Sequence, residues 1–448
     1  MGLRWAAGGC RSGAQEGQAL PLGLMLLTAV AAILFFMFNS AQLVQEKIRL
    51  TNTADAVAYS AGVFEARLLN YDAYINRAII ANEIAIGHAV GLAGWLTYGA
   101  KASEHIAPYV AMLPGGPAIA AALAEVAKGL ETSYAPPLAN SVVRHQMALD
   151  GLGKAWLSTH GPGNSIALAT RETLMDEVAK RNDPDAKVDI LPLADDFAGF
   201  TRRYSTREER RRMGQLVHEA RDAFLQSRNW DVGVVVLCVG VKLKKRGSTE
   251  FIDMVDGWKS MDTLSAHLYS FHKLKCKHSE DPVGWGTAAS LGGLDDSAYD
   301  YAGSTGTNPD ASALAQDNSA PGFPPKTIWS GAIPPFYELS ETALKAEDPR
   351  TVLAIRVTKA RTAQRFSGGA STIKPQGSLE LYQGAHAGGE SAAVAKVEVF
   401  FARPDGKNPL FQREELGSLF NPYWQPRLAP LTAGERALAQ LRQGVLLP

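Results

Sequence analysis

The chain has 448 residues, and its 45 Lys plus Arg balance its 45 Asp plus Glu, so the formal net charge is zero. That balance excludes the strongly basic domain a nucleic-acid binder needs, while 46% apolar residues supply a large packed core. Three cysteines, Cys10, Cys238 and Cys276, are too few for a disulfide scaffold, although the last two can form one bridge in an exported domain.

Residues 1–16 read as a short tail carrying Arg4 and Arg11. Cys10 follows Ala-Ala-Gly-Gly, but the apolar run comes after it rather than before it, which excludes a lipid-anchor site. From Gly17 to Phe38 the chain reads GQALPLGLMLLTAVAAILFFMF, and no ionisable side chain occurs between Glu16 and Glu46. A helix of about 20 residues crosses the roughly 30 Å hydrocarbon core. A cleaved signal has an apolar region of only about 7–15 residues before a small-residue site. The run therefore predicts a retained transmembrane helix over 17–40, with Phe35, Phe36 and Phe38 near one interface. Arg4 and Arg11 precede it, whereas Glu46, Lys47 and Arg49 follow it, so the charge bias is small. The orientation taken is the tail inside and the large C-terminal domain outside.

Residues 41–110 continue as a helical segment with no proline from Ala41 to Val90. Leu50, Ala54, Val57, Ala58, Ala61, Phe64 and Leu68 recur at helical steps, which predicts a rod continuous with the span and bent or broken after Gly62. Small residues at Ala54, Ala58 and Ala61 let a second helix approach closely, and Asp55 and Tyr59 flank them. These five are the candidate helix-contact residues, and they also allow self-association through this helix. The other reading of the same stripe is packing against the protein's own domain, and the pattern does not separate the two.

At this stretch the chain resembles a known family. Gly17-Gln18-Ala19-Leu20 opening the apolar run, followed by Asn52, Ala54, Asp55, Ala56, Ala58, Tyr59 and Ser60, is similar to the N-terminal region of Tad/Flp pilus-assembly proteins of the TadE/TadG-like kind. The resemblance spans roughly 16–65. It implies a single-pass bacterial inner-membrane protein with a periplasmic domain, whose partners are the lipid bilayer and other pilus-assembly or envelope membrane proteins. Type IV prepilins carry a glutamate at the fifth residue after the cleaved glycine; counted from Gln18, that position is Leu22, which speaks for a retained anchor. Longer relatives carry a von Willebrand A-like domain, but the nearest stretch here, Asp310 to Leu314 (DASAL), lacks the second serine of its metal loop.

Residues 111–230 read as helical. PAIAAALAEVAKGLETSY opens with Pro117, a good first-turn residue, and Ser205 with Glu208 has capping-box spacing. Residues 231–448 read as strand-rich: VGVVVLCVGVKLK, with TEFIDMVDGW as a partner, then TVLAIRVTKA and AKVEVFFARP. Gly284 to Lys326 is rich in Gly, Ser, Ala, Asp and Pro and reads as a flexible loop. The fold class expected is α+β: a transmembrane helix continuing into a long helix, a helical middle, and a mainly antiparallel C-terminal sheet.

Motifs for chemistry are sparse. His272, Cys276 and His278 are close enough to share a zinc, but no second ligand pair accompanies them. His218 to Asp222 (HEARD) lacks the second histidine of a zinc-peptidase helix. No Gly-x-Ser-x-Gly elbow, phosphate loop or dinucleotide fingerprint occurs. The expectation is therefore a structural assembly component with no catalytic, metal or cofactor residues. The alternative is a membrane-tethered, hydrolase-like envelope enzyme with a site built from distant residues.

Overall fold

A computed structural model describes residues 19–129, 133–253, 257–272, 275–290, 301–317, 333–364, 389–403 and 415–442. Its spine is one helix, α1 (Ala19–Ala111), of 93 residues and therefore about 140 Å long. It does not break after Gly62. That glycine serves close approach instead: a Cβ there would lie 2.4 Å from a methyl of Val397, on a strand crossing the helix. The expected break is therefore absent, and the glycine there acts as a spacing device.

Helices α2 (Gly116–Gly129), α3 (Ala135–His160) and α4 (Ser165–Asn182) follow. The run read as helical then turns out to hold two strands, β1 (Ala186–Asp195) and β2 (Thr201–Tyr204), around a single turn, α5 (Phe197–Phe200). Strand β1 is irregular, with Leu193 at φ 60° and a register shift between Ile190 and Asp195 beside Pro192, which blurs its alternation in sequence. Helix α6 (Arg207–Glu219) is capped by Thr206, whose hydroxyl accepts from Glu209 N at 3.3 Å. Glu209 returns its carboxylate to Thr206 N at 2.9 Å, so the capping box sits one residue beyond the Ser205–Glu208 pair expected.

Next come α7 (Ala223–Gln226), β3 (Trp230–Val236), β4 (Val239–Asp253), β5 (Gly257–His272) and β6 (Lys275–Ala289). They are followed by α8 (Ser304–Thr307), α9 (Pro309–Asp317), β7 (Phe336–Leu339), α10 (Glu341–Leu344), β8 (Arg350–Ala360), β9 (Glu390–Phe401), β10 (Trp424–Ala429) and α11 (Ala433–Arg442). Among the described residues all strand pairings are antiparallel, in sheets of order β1-β8-β9-β10, β3-β4-β5-β6 and a small β2-β7 pair. The α+β expectation of a long helix, a helical middle and antiparallel C-terminal sheets therefore holds.

Two local expectations change. VGVVVLCVGVKLK is a hairpin, not one strand, turning at Leu237 and Cys238, and TEFID is the end of β4 rather than its partner. The segment 284–326 is only partly loop: Gly284–Ala289 completes β6, and 301–317 forms short helices against β5 and β6, burying Tyr301 and Ala315 beside Met261. Residues 291–300 and 318–332 lie outside the described residues.

The two four-stranded sheets pack at successive stations along α1. Leu50, Ala54, Val57, Ala58 and Ala61 bury against Leu353, Ile355, Val357 and Val397 of β8 and β9, with Met175 and Ala179 of α4 alongside. Further along, Ile79, Ile86 and Val90 enter a second core with Trp156, Trp258, Phe336 and Trp424. Gly87 lets β5 approach there, since a Cβ would stand 2.8 Å from the Trp258 ring.

Candidate functional site

The first part of α1 is long and apolar enough to cross a bilayer: its most apolar window has a mean hydropathy of 2.4, and none of that window is buried. Leu20, Leu24, Met25, Leu26, Leu27, Ile33, Leu34 and Phe36 all face outward. The one hydroxyl in this stretch, Thr28, is satisfied within the helix, donating to Leu24 O at 3.0 Å and Met25 O at 2.9 Å. Burial by the domain begins at Leu50.

Where the apolar stretch ends, a polar collar fastens helix to domain. Lys47 Nζ donates to Ala392 O at 2.6 Å, and Arg49 donates to Asn182 O at 2.9 Å. Lys359, almost fully buried, lies between Asp183 at 2.8 Å and Glu46 at 3.3 Å. Despite some burial, the Lys359 ammonium and the Asp185 amide hold the Asp183 carboxyl below its usual range. A crevice of about 390 Å³ opens beside the collar, lined by Leu43, Val44, Lys47, Leu50 and Ser391.

The five helix-contact candidates divide between two faces. Ala54, Ala58 and Ala61 are fully buried against the protein's own β8–β9 surface. Asp55 is half-buried and Tyr59 is 47% exposed, both on the outer side. The close approach that the small residues permit is thus used within the chain, which is the second of the two readings of that stripe.

The sequence reading missed a line of polar residues on the inner face of α1. Glu65, Asp72, Asn76 and Glu83 are spaced seven, four and seven residues apart, which places them within about 40° of one line along the helix. All four are buried to 1% exposure or less. Glu65 accepts from Arg171 of α4 at 2.5 Å, and Arg171 also holds Asp195 at the end of β1. Burial pushes Glu65 up to about 7 against the downward pull of Arg171. Asn76 donates to Tyr337 O at 2.9 Å and Leu419 O at 2.6 Å, tying β7 and the 415–423 segment to the spine. Glu83 accepts from Trp258 Nε1 at 3.0 Å through one oxygen while the other has no partner, and burial pushes it up to about 7. These residues recognise other parts of the same chain, and the signal that could have found them was their shared helical face.

Asp72 carries the arrangement closest to an enzyme's. Its Oδ1 lies 2.8 Å from His160 Nε2 and accepts from Trp156 Nε1 at 2.8 Å. His160 Nδ1 lies 3.1 Å from Asn164 Oδ1, while Asn164 donates its amide to Thr201 Oγ1 at 2.9 Å. Both ring nitrogens therefore face oxygen atoms, Nδ1 that of Asn164 and Nε2 that of Asp72. Burial raises the Asp72 carboxyl, and the bonds from His160 and Trp156 oppose that rise. The side chains of Asp72 and His160 are both 0% exposed, and Tyr337 stacks on the imidazole at 4.2 Å between ring centroids. The group is closed to water and joins α1, α3 and β7.

The remaining sequence candidates also find places. Cys276 forms a disulfide with Cys238, their Cα atoms 5.4 Å apart, and His278 Nε2 lies 2.7 Å from His267 Nδ1. His272, Cys276 and His278 therefore do not converge as ligands, and among the described residues no group of three His, Cys, Asp or Glu is placed to hold a metal. Asp310 to Leu314 lies in α9, whose first amides, Asp310 N and Ala311 N, donate to Glu280 at 3.0 and 3.1 Å.

Residues 17–65 match the family described as Tad, putative Flp pilus-assembly TadE/G-like. The match covers the apolar stretch and the part of α1 that contributes Glu46, Lys47 and Arg49 to the collar and Leu50 to Ala61 to the first station. No curated protein and no solved structure matches the chain.

Proposed function

We propose that this protein is a single-pass, membrane-anchored structural component of a Tad/Flp-type pilus or a related envelope machine, working by protein–protein contacts. The observation that carries the reading is the place of the family match, on the outward-facing apolar helix and on the segment that joins it to the domain. The rest of the chain is consistent with a scaffold. One uninterrupted helix links the span to both large sheets, so force or position at the membrane passes directly into the domain. The Cys238–Cys276 disulfide fits an oxidising compartment, and supports a periplasmic domain on a bacterial inner membrane. The Asp72–His160 pair has a hydrolase's residue types but no opening to substrate, which supports assembly over the rival tethered enzyme.

Partner contact, or self-association of α1, then falls to Asp55 and Tyr59, because the faces of Ala54, Ala58 and Ala61 are occupied. A charge at Ala58 would break the protein's own core and report nothing about partners. The test is purification of the full-length protein from native membranes with Tyr59→Glu and Asp55→Lys. Loss of co-purifying envelope proteins and of piliation, with unchanged thermal melting, is expected. Unaltered complexes and piliation in both variants would overturn the assignment of this face.

A further inference from the structure

The end of the β3-β4-β5-β6 sheet farthest from the span does not look like a closed surface. The face of this sheet that packs on α1 presents Trp258 to Gly87, Thr249 to Gly91 and Ser260 to Gly94, with Lys245 over the Tyr98 ring at 4.5 Å. Gly284 and Gly286 of β6 meet Ala102 and Tyr98, so the strands run along the helix and continue past its contact. Beyond that contact the same face goes on uncovered by any described residue. On the edge strand β3, Val232, Val234 and Val236 are 59%, 72% and 62% exposed; their partners Val239 and Val241, and neighbouring Leu268 on β5, are also exposed. The opposite face adds Phe271 and Val235, and Leu237 stands at the turn itself, 89% exposed.

Charge follows the same boundary. No carboxylate occurs from Val232 to Thr249 or from Thr263 to Ser279, in a chain with 45 of them. Lys275 and Lys277 are exposed on one face of this end, and Lys242 and Lys244 lie on the other. The turn is built against local preference. Leu237 and Cys238 have φ of 47° and 66°, where a two-residue hairpin turn normally uses Asn-Gly. The disulfide from Cys238 to Cys276 staples this turn to the start of β6, holding both hairpin ends as one unit.

We propose that this end of the sheet is a lipid-docking tip that enters the headgroup region of an anionic bilayer other than the one holding the span. Apolar side chains on both faces suit immersion at an interface, whereas a protein partner would cover one face. Lys275 and Lys277, exposed on a strand end that carries no carboxylate, complement an anionic headgroup layer, whereas Lys242 on the other face pairs with Asp231 at 3.0 Å. Along α1, Glu46 and His105 are about 90 Å apart, and the tip lies farther still, out of reach of the bilayer at the span. Docking is shallow, limited to the Leu237–Cys238 turn and the strand ends beside it, because the unpaired backbone of β3 stays hydrated.

The inference rests on reading Ala19 onward as a span, and the experiment reads the two separately. Full-length protein is incorporated into phosphatidylcholine nanodiscs, which tests the span, and then floated with vesicles of phosphatidylcholine with or without phosphatidylglycerol, which tests the tip. Co-flotation with the phosphatidylglycerol vesicles is expected, weakening with salt. Lys275→Gln with Lys277→Gln should reduce it about thirtyfold, from the loss of two cations near the headgroups. Leu237→Asp should reduce it about tenfold or more. If Leu237→Asp alters melting or disulfide formation, the lysine pair remains the deciding variant. Absence of co-flotation, or co-flotation unchanged by the lysine pair, overturns the proposal. So does pairing of nanodiscs without vesicles, which would mean that β3 instead binds β3 of a second copy.

Discussion

Glu83 offers a measurable consequence of the inner polar line. Its carboxyl is fully buried, receives one hydrogen bond from Trp258 Nε1, and leaves its second oxygen without a partner. Burial raises it from 4.5 to about 7, so the folded state binds this proton more tightly than the unfolded chain does. Its contribution to stability is therefore complete below pH 4.5 and is lost as pH rises through about 7. At about 1.4 kcal/mol per unit, the loss is about 3 kcal/mol. Glu83→Gln keeps an acceptor for Trp258 but cannot ionise. At acid pH the variant should be less stable than wild type, since its amide brings buried donors without acceptors at about 1–3 kcal/mol. Toward alkaline pH that deficit should shrink or reverse. The assay is denaturant unfolding of the full-length protein in micelles, followed by tryptophan fluorescence across a pH series. Parallel pH profiles for the two proteins would refute the reasoning, because they would show that Glu83 does not change its proton occupancy on folding.

Three further outcomes follow from the same packing. Arg171→Met leaves the Glu65 carboxylate buried without its cation and should cost about 3–5 kcal/mol near neutral pH, and less in acid where Glu65 protonates, as read by denaturation midpoints. Gly87→Leu drives a side chain into the Trp258 ring and should cost about 1–3 kcal/mol, with a shift in tryptophan emission; an unshifted spectrum at full stability would contradict the contact. Replacing Cys238 and Cys276 by serine opens a loop set by their separation of 38 residues, which the chain-entropy relation puts at about 4 kcal/mol; hydrogen exchange in β3 and β4 should rise before that in β8 and β9.

What the sequence determined by itself is local. An uncharged run of the length of a bilayer, a proline-free helical continuation, and β-branched segments late in the chain each encode their structure through near neighbours. The bilayer-length apolar helix, its long continuation and the antiparallel C-terminal sheets were therefore legible, as was the TadE/TadG-like pattern around Asn52 to Ser60. Only the tertiary structure decided which partner each surface meets. Ala54, Ala58 and Ala61 could equally have faced another protein until β8 and β9 occupied them. Gly62 reads alike as a hinge and as a spacer, and the difference lies in Val397, more than 300 residues away. Strand β1 escaped notice because its bulge at Leu193 breaks the alternation that a strand normally shows, and its pairing with β8 is supplied from a distant part of the chain. The polar line of Glu65, Asp72, Asn76 and Glu83 was not legible because its burial depends on Arg171, His160, Tyr337 and Trp258, which reach α1 only after folding. Periodicity specifies which residues share a face, but the free energy that selects an occupant for that face comes from contacts between segments remote in sequence.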